Sequence, residues 1–343
     1  LREVVARLLA DGGLDENALT AAIMNGHADM VRFLIERGGN VNLALREASR
    51  EGDEDIVRLL LEKGADINWQ QNQSSSALQV ASFRGKKQIV GLLIANGADV
   101  NLAPQKSGTT LEVTAVHGNY EAVDIRHLHG EPYGTALHAA SLGGNTDIAS
   151  LLIKHGANIN AYTERDGTAL AAALSCGSTD VACLLINHGA RISDPGAEGW
   201  DILGLASKRG NEEIVRLLLA MGADVNAKST ANNTALQAAS FGGQDTIATL
   251  LIQHGADVNA AGDEYGTALE IASRLERTTV VCILLENGAD INQNGGKCIE
   301  EASSWGHKEV VRLLIEHSVR TAISHLPFRE DHSHPADGSM GGG

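Results

Sequence analysis

Hydrophobic positions along the chain fall into short clusters with helical spacing, each closed by the same polar sequence. The stretches IVRLLLEKGADIN from Ile56, IVGLLIANGADVN from Ile89, IVRLLLAMGADVN from Ile214 and IATLLIQHGADVN from Ile247 repeat one design. Apolar residues at i, i+1, i+4 and i+5 make one face of an amphipathic helix, and a glycine stops it. A second apolar cluster precedes each of these, built on small residues, as in TALAAALS from Thr168, TALQAAS from Thr234 and TALEIAS from Thr267. Small side chains let neighbouring helices approach closely. The pattern predicts pairs of short helices, repeated.

The closing glycines are Gly12, Gly38, Gly64, Gly97, Gly130, Gly156, Gly189, Gly222, Gly255 and Gly288, with Ser318 in the same place at the end. Their spacing takes a short value, as from Gly38 to Gly64, or a long one, as from Gly64 to Gly97. Only the last step, Gly288 to Ser318, falls between the two. A recurring period of this size is the signature of a stacked-repeat architecture. Thr168, Thr234 and Thr267 stand where a hydroxyl can cap the first helix of a pair. Asn119, Asn145 and Asn211 stand where the second helix needs its own cap. The closing glycine is expected in the left-handed conformation that ends a helix. The ADVN segment and the roughly ten residues after it then form a hairpin finger reaching toward the next repeat.

With its 33-residue period, Thr-x-Leu element and GADVN element, the chain resembles the ankyrin repeat over residues 1–318. The resemblance implies an all-α solenoid of helix-turn-helix repeats with hairpin fingers. It implies about ten repeats plus a partial first one, and a partly disordered tail at 319–343. After Gly12, Gly38 and Gly130 seven residues are missing, 33 − 26, which removes a finger while leaving helix length intact. Variants such as SSSALQVAS, YGTALHAAS and EYGTALEIAS are similar to the ankyrin arrays of fungal multidomain proteins of the NACHT type. Leu1 already stands inside a helical pattern, so the chain reads as a fragment.

Composition narrows the function. The chain is 43% hydrophobic but only 3% aromatic, so Ala, Leu, Ile and Val must fill the core. Its formal net charge of −16 argues against a nucleic-acid backbone as the main ligand. No apolar run reaches the roughly 18 residues of a membrane span, and no secretory leader opens the chain. Cys176, Cys183, Cys282 and Cys298 form no CxxC pair and read as reduced thiols of a cytoplasmic protein. No GxxxxGK[ST], HExxH or GxSxG is present, so no catalytic residue, cofactor or metal site is expected.

One stretch breaks the regularity. VDIRHLHGEPYGTALHAAS, from Val123, brings His127, His129 and His138 together. His129 shares its repeat position with His155, His188 and His254, and His138 shares its with Gln79 and Gln237, so both have structural roles. Aligned with LLIKHG of the next repeat, Arg126 and His127 replace core residues Leu152 and Ile153. Burying them unpaired is costly. A weakened repeat, a seam near 118–134, is expected there.

The resemblance places partner binding at the finger tips and on the concave ends of the first helices. The two positions before each inter-helix glycine include Arg50, Arg84, Lys208, Arg209 and Arg274 against one acid, Glu51. That gives a groove of net +4 on an acidic molecule, interleaved with Phe83, Phe241 and Trp305. The finger positions add Trp69, Tyr162, Trp200 and Tyr265. A monomeric scaffold binding a protein or peptide with acidic and apolar residues is the leading reading. A nucleic-acid array using the basic groove, and then a metal-dependent enzyme using the tail histidines His325, His332 and His334, are the alternatives.

Overall fold

The computed structural model describes residues 16–70, 75–103, 134–163, 167–193, 201–229, 233–263 and 266–324. Among them the chain alternates short first helices with more amphipathic second helices. The pairs are α1 (Glu16–Met24) with α2 (Ala28–Glu36), α3 (Val41–Glu51) with α4 (Glu54–Glu62), and α5 (Ala77–Phe83) with α6 (Lys87–Ala95). There follow α7 (Ala136–Leu142) with α8 (Thr146–Lys154), α9 (Ala169–Ser175) with α10 (Thr179–Asn187), and α11 (Ile202–Arg209) with α12 (Glu212–Ala220). The array finishes with α13 (Ala235–Gly242) and α14 (Asp245–Gln253), α15 (Ala268–Arg274) and α16 (Thr278–Glu286), and α17 (Lys297–Ser304) with α18 (Lys308–Ser324). Each helix packs on its own partner and on the helices of the adjoining pairs. This is the expected helical solenoid.

The first helices lie between neighbours on both sides, and small residues permit it. In α9 every residue from Ala169 to Leu174 is buried. Their caps are local. Thr168 Oγ1 accepts from the Ala171 N–H at 3.3 Å, and Thr267 Oγ1 from the Glu270 N–H at 3.2 Å. Second helices end as expected, with Gly64, Gly97 and Gly255 at φ values of 83°, 91° and 88°. Only glycine takes that conformation cheaply. Fingers appear as two-residue antiparallel pairs: β1 (Tyr162–Thr163) on β2 (Gly167–Thr168), and β3 (Ala261–Gly262) on β4 (Gly266–Thr267).

The expected cap role of Asn145 and Asn211 is not what the structure shows. Neither side chain bonds to its own helix start. Asn145 Nδ2 instead donates to the carbonyls of Ser82 and Phe83, both at 2.8 Å, at the end of α5. The last carbonyls of a helix point beyond its own ladder, so they attract a donor from the next layer. His307 Nε2 does the same toward Arg274 O at 3.0 Å. This position ties one repeat to the previous one.

Residues Arg126, His127 and His129, and the expected seam as far as residue 133, lie outside the described residues. Its two flanks meet directly. α5 packs against α7 and α6 against α8, as neighbouring repeats do elsewhere. Asn101 Oδ1 accepts from the Asn158 N–H at 2.7 Å, as Asn68 Oδ1 accepts from the Asp99 N–H at 2.8 Å. The first link spans 57 residues of sequence and the second 31, so it encloses one short interval more. Gln79 Nε2 donates to both Leu102 O and Gly134 O, so one amide holds the two ends of residues 103–133. The stack is continuous across this point.

Candidate partner-binding groove

One column of positions runs along the C-terminal ends of the first helices: Met24, Arg50, Phe83, Leu142, Ser175, Lys208, Phe241, Arg274 and Ser304. Beside it runs a second column that holds Arg84, Arg209 and Trp305. Helical packing brings successive members onto neighbouring layers. Lys208 and Phe241 stand in the last turns of α11 and α13, and Lys208 Nζ sits 5.1 Å from the Phe241 ring centroid. A cation over an aromatic face contributes about 0.5–1 kcal/mol at an exposed site. Gly242 makes this approach possible, since a Cβ there would collide with the Lys208 carbonyl oxygen. Arg84 similarly lies 5.9 Å from the Phe83 ring centroid.

Arg274, half-buried at the end of α15, occupies the next place in the column after Phe241. Arg209 and Arg84 are exposed, and Trp305 is 67% exposed after α17. Tyr162 projects from β1 at 55% exposure, while Trp69 is half-buried in a turn closed by its N–H to Asp66 O at 3.1 Å. Trp200 and Tyr265 lie outside the described residues. Lys208, Phe241 and Arg274 are thus brought onto consecutive layers, whereas Phe83 with Arg84, and Trp305, stand at other points along the groove.

The charge of Arg50 is shared with two neighbours on α3. Arg50 Nη1 meets Glu47 Oε2 at 2.8 Å, and Arg46 Nη2 meets Glu47 Oε1 at 2.8 Å. Glu47 is 5% exposed, so its carboxylate is held between two guanidiniums. Arg46 and Arg50 share that one carboxylate, so the three side chains together keep a single positive charge at this point of the column. Met24 heads the same column at 65% exposure, an apolar side chain that neither charge nor aromaticity flags in the sequence. Only its exposure marks it.

His138, His188, His254 and Cys298 have structural partners. His138 Nδ1 accepts from the Thr135 N–H at 3.1 Å, which puts the proton on Nε2, facing Gly167 O at 3.1 Å. His188 Nδ1 and His254 Nδ1 bond back to Leu184 O and Leu250 O in their own helices, at 2.8 and 2.9 Å. Among the described residues no three His, Cys, Asp or Glu side chains converge as metal ligands. Burial pushes the Cys298 thiol up to about 11, and its Sγ donates to Ile291 O. Asp201 caps α11 through the Gly204 N–H at 2.7 Å; burial raises its carboxyl, and that bond partly offsets the rise. No described helix is long and apolar enough to cross a membrane.

A family model described as ankyrin repeats (3 copies) matches residues 1–71, 45–125, 124–196 and 203–295. The chain belongs to the ankyrin-repeat family. The human ASB11 ankyrin repeat domain, known from a crystal structure, is similar at 25% identity with a TM-score of 0.55. That likeness covers 71% of this chain and 97% of the ASB11 domain. A search of curated proteins found no match. Ankyrin-repeat proteins are in general protein–protein interaction modules and typically non-enzymatic.

Proposed function

We propose that this ankyrin array is a non-catalytic recognition scaffold whose groove binds a protein segment carrying acidic and apolar residues. The observation that carries the reading is the Lys208–Phe241 stack with Arg274 on the next layer. It sets fixed cations beside an aromatic face on a molecule of net charge −16. An acidic side chain would pair with Arg209 and Arg274 while an apolar neighbour covers Phe241. Phe83 with Arg84, then Trp305, and the finger residues Trp69, Tyr162, Trp200 and Tyr265 would extend the contact. The array acts as a monomer and without a cofactor. The repeat variants further support a sensor array of the fungal NACHT-associated kind, working in the cytoplasm.

The test is capture of partners by the array and by a Lys208→Glu, Arg209→Glu, Arg274→Glu variant. The variant is expected to lose the partner and to associate more slowly, with an unchanged circular dichroism spectrum. Equal capture by both proteins overturns the groove assignment. Tight, steeply salt-dependent binding of generic DNA or RNA by the native array would replace the protein reading with the nucleic-acid one.

A further inference from the structure

Neighbouring repeats are tied by side chains at three recurring places. Asn42, Asn68, Asn101, Asn160, Asn226 and Asn259 each accept from a backbone N–H of the next repeat in the stack, at 2.7 to 2.9 Å. The third residue of a first helix donates to the next finger, as Gln79 does to Gly134 O, His138 Nε2 to Gly167 O and Gln237 to Gly266 O. The residue before a second helix donates back to the previous first helix, as Asn145 and His307 do. Hydrogen bonds are directional, so these ties fix the angle between layers.

One joint has none of the three. Between the pair α9–α10 and the pair α11–α12, Ser193 stands in the place of the asparagine. The Asp224 N–H, next in that series, meets no acceptor among the described residues. Ala171 holds the third position of α9 and has no polar side-chain atom. Asn211 holds the place of Asn145, yet its Nδ2 is buried and unpaired. Each of the other joints between described pairs keeps at least one tie. Where Gly204 removes one, Asn226 and the Lys208–Phe241 stack remain. The untied joint is held by apolar contact, with Leu170, Leu174, Leu205 and Ala206 fully buried. Such contact resists separation but, being non-directional, permits a small turn.

We propose that this joint is a hinge, at which α11 to α18 turn as a block against α1 to α10. In the second arrangement the Asn211 amide donates to the carbonyls of Leu174 and Ser175, which match Ser82 and Phe83 at the end of α5. The arrangement described here leaves that buried donor unpaired, and the turn pairs it, which offsets the apolar fit given up. The turn also changes the span between Phe83 with Arg84 on one block and Lys208, Phe241 and Arg274 on the other. That consequence for a partner rests on the groove reading above; the hinge itself does not.

The experiment is pulsed electron resonance on the free, full chain, spin-labelled at introduced cysteines in a Cys176→Ser, Cys183→Ala, Cys282→Ala, Cys298→Ala background. Lys154, Ala220 and Glu286 are exposed and close α8, α12 and α16, so two label pairs span two joints each. The pair Lys154→Cys with Ala220→Cys crosses the untied joint, and Ala220→Cys with Glu286→Cys does not. The first is expected to give two distance components and the second one. Asn211→Ala should remove the second component, and Ser193→Asn with Ala171→Gln should leave one narrow component. Equal single components for both pairs overturn the proposal, as does a second component that survives Asn211→Ala. No partner is present in the measurement, so its failure leaves the groove reading standing.

Discussion

Gln79 Nε2 lies 2.5 Å from the carbonyl oxygen of Gly134, 55 residues further along the chain. Gln237 makes the corresponding bond to Gly266, only 29 residues on. The excess, 55 − 29, equals the excess between the two asparagine links, 57 − 31. A buried amide that spans one finger elsewhere spans a finger and one further short interval here. Its Oε1 also accepts from the Ser76 N–H at 2.6 Å, so the side chain is fixed on both sides.

Removing residues 105–130 should therefore leave the array folded. Joining Pro104 to Glu131 restores the interval from closing glycine to finger glycine seen between Gly156 and Gly167. The expected outcome is a single cooperative transition with a Tm equal to or above that of the full chain. Gln79→Ala should cost about 1–3 kcal/mol in either background, by leaving buried carbonyls unpaired. A shortened chain that melts in two separate steps would show that the flanking repeats do not support each other.

Glu276 is the one described non-glycine residue with positive φ, at 56°, where the other inter-helix turns place glycine. The left-handed conformation costs a residue with a Cβ about 1–2 kcal/mol. Its carboxylate, 3.4 Å from His307 Nδ1, is exposed and returns little of that. Glu276→Gly should raise unfolding stability by about 1 kcal/mol, read from the denaturant midpoint.

Asp201 links stability to pH. Its folded-state carboxyl titrates above the ordinary 3.8, chiefly because of burial. A raised folded value means the neutral acid suits the fold better than the carboxylate. The contribution is present below the ordinary value and is lost as pH rises through the folded one. Asp201→Asn keeps an acceptor for the Gly204 N–H without the buried charge. It should stabilise the array at neutral pH, with the advantage shrinking as pH falls toward and below the ordinary carboxylate range.

Thiol reactivity should follow burial. Cys176 is exposed at the end of α9, Cys183 and Cys282 are half-buried with thiols raised by burial, and Cys298 is buried. Labelling with an aromatic disulfide at mildly alkaline pH should modify Cys176 first and Cys298 only on unfolding. Mass spectrometry of the labelled peptides gives the order. Early modification of Cys298 would mean that the last repeat opens readily.

The amino-acid sequence alone determined the helix pairs, their caps at Thr168, Thr234 and Thr267, and the glycines that end them. Those features depend on hydrogen bonds and backbone conformations within a few residues, so they are written locally. The columns at the ends of the first helices were legible as well, because every repeat places those positions at the same register. Tertiary structure decided which faces meet. Asn145 holds an ideal place for capping its own helix, yet two carbonyls at the end of α5 accept from its amide. Arg50 reads as a lone cation until α3 sets the Glu47 carboxylate, three positions earlier, between it and Arg46. Lys208 and Phe241 stand one full period apart in sequence, and only the stacking of α11 on α13 makes them one surface. That the repeat after Ala103 in the stack begins at Gly134 could not be read from the spacing of the closing glycines. Spacing records the order of repeats along the chain, whereas complementary faces and paired polar groups decide which of them touch.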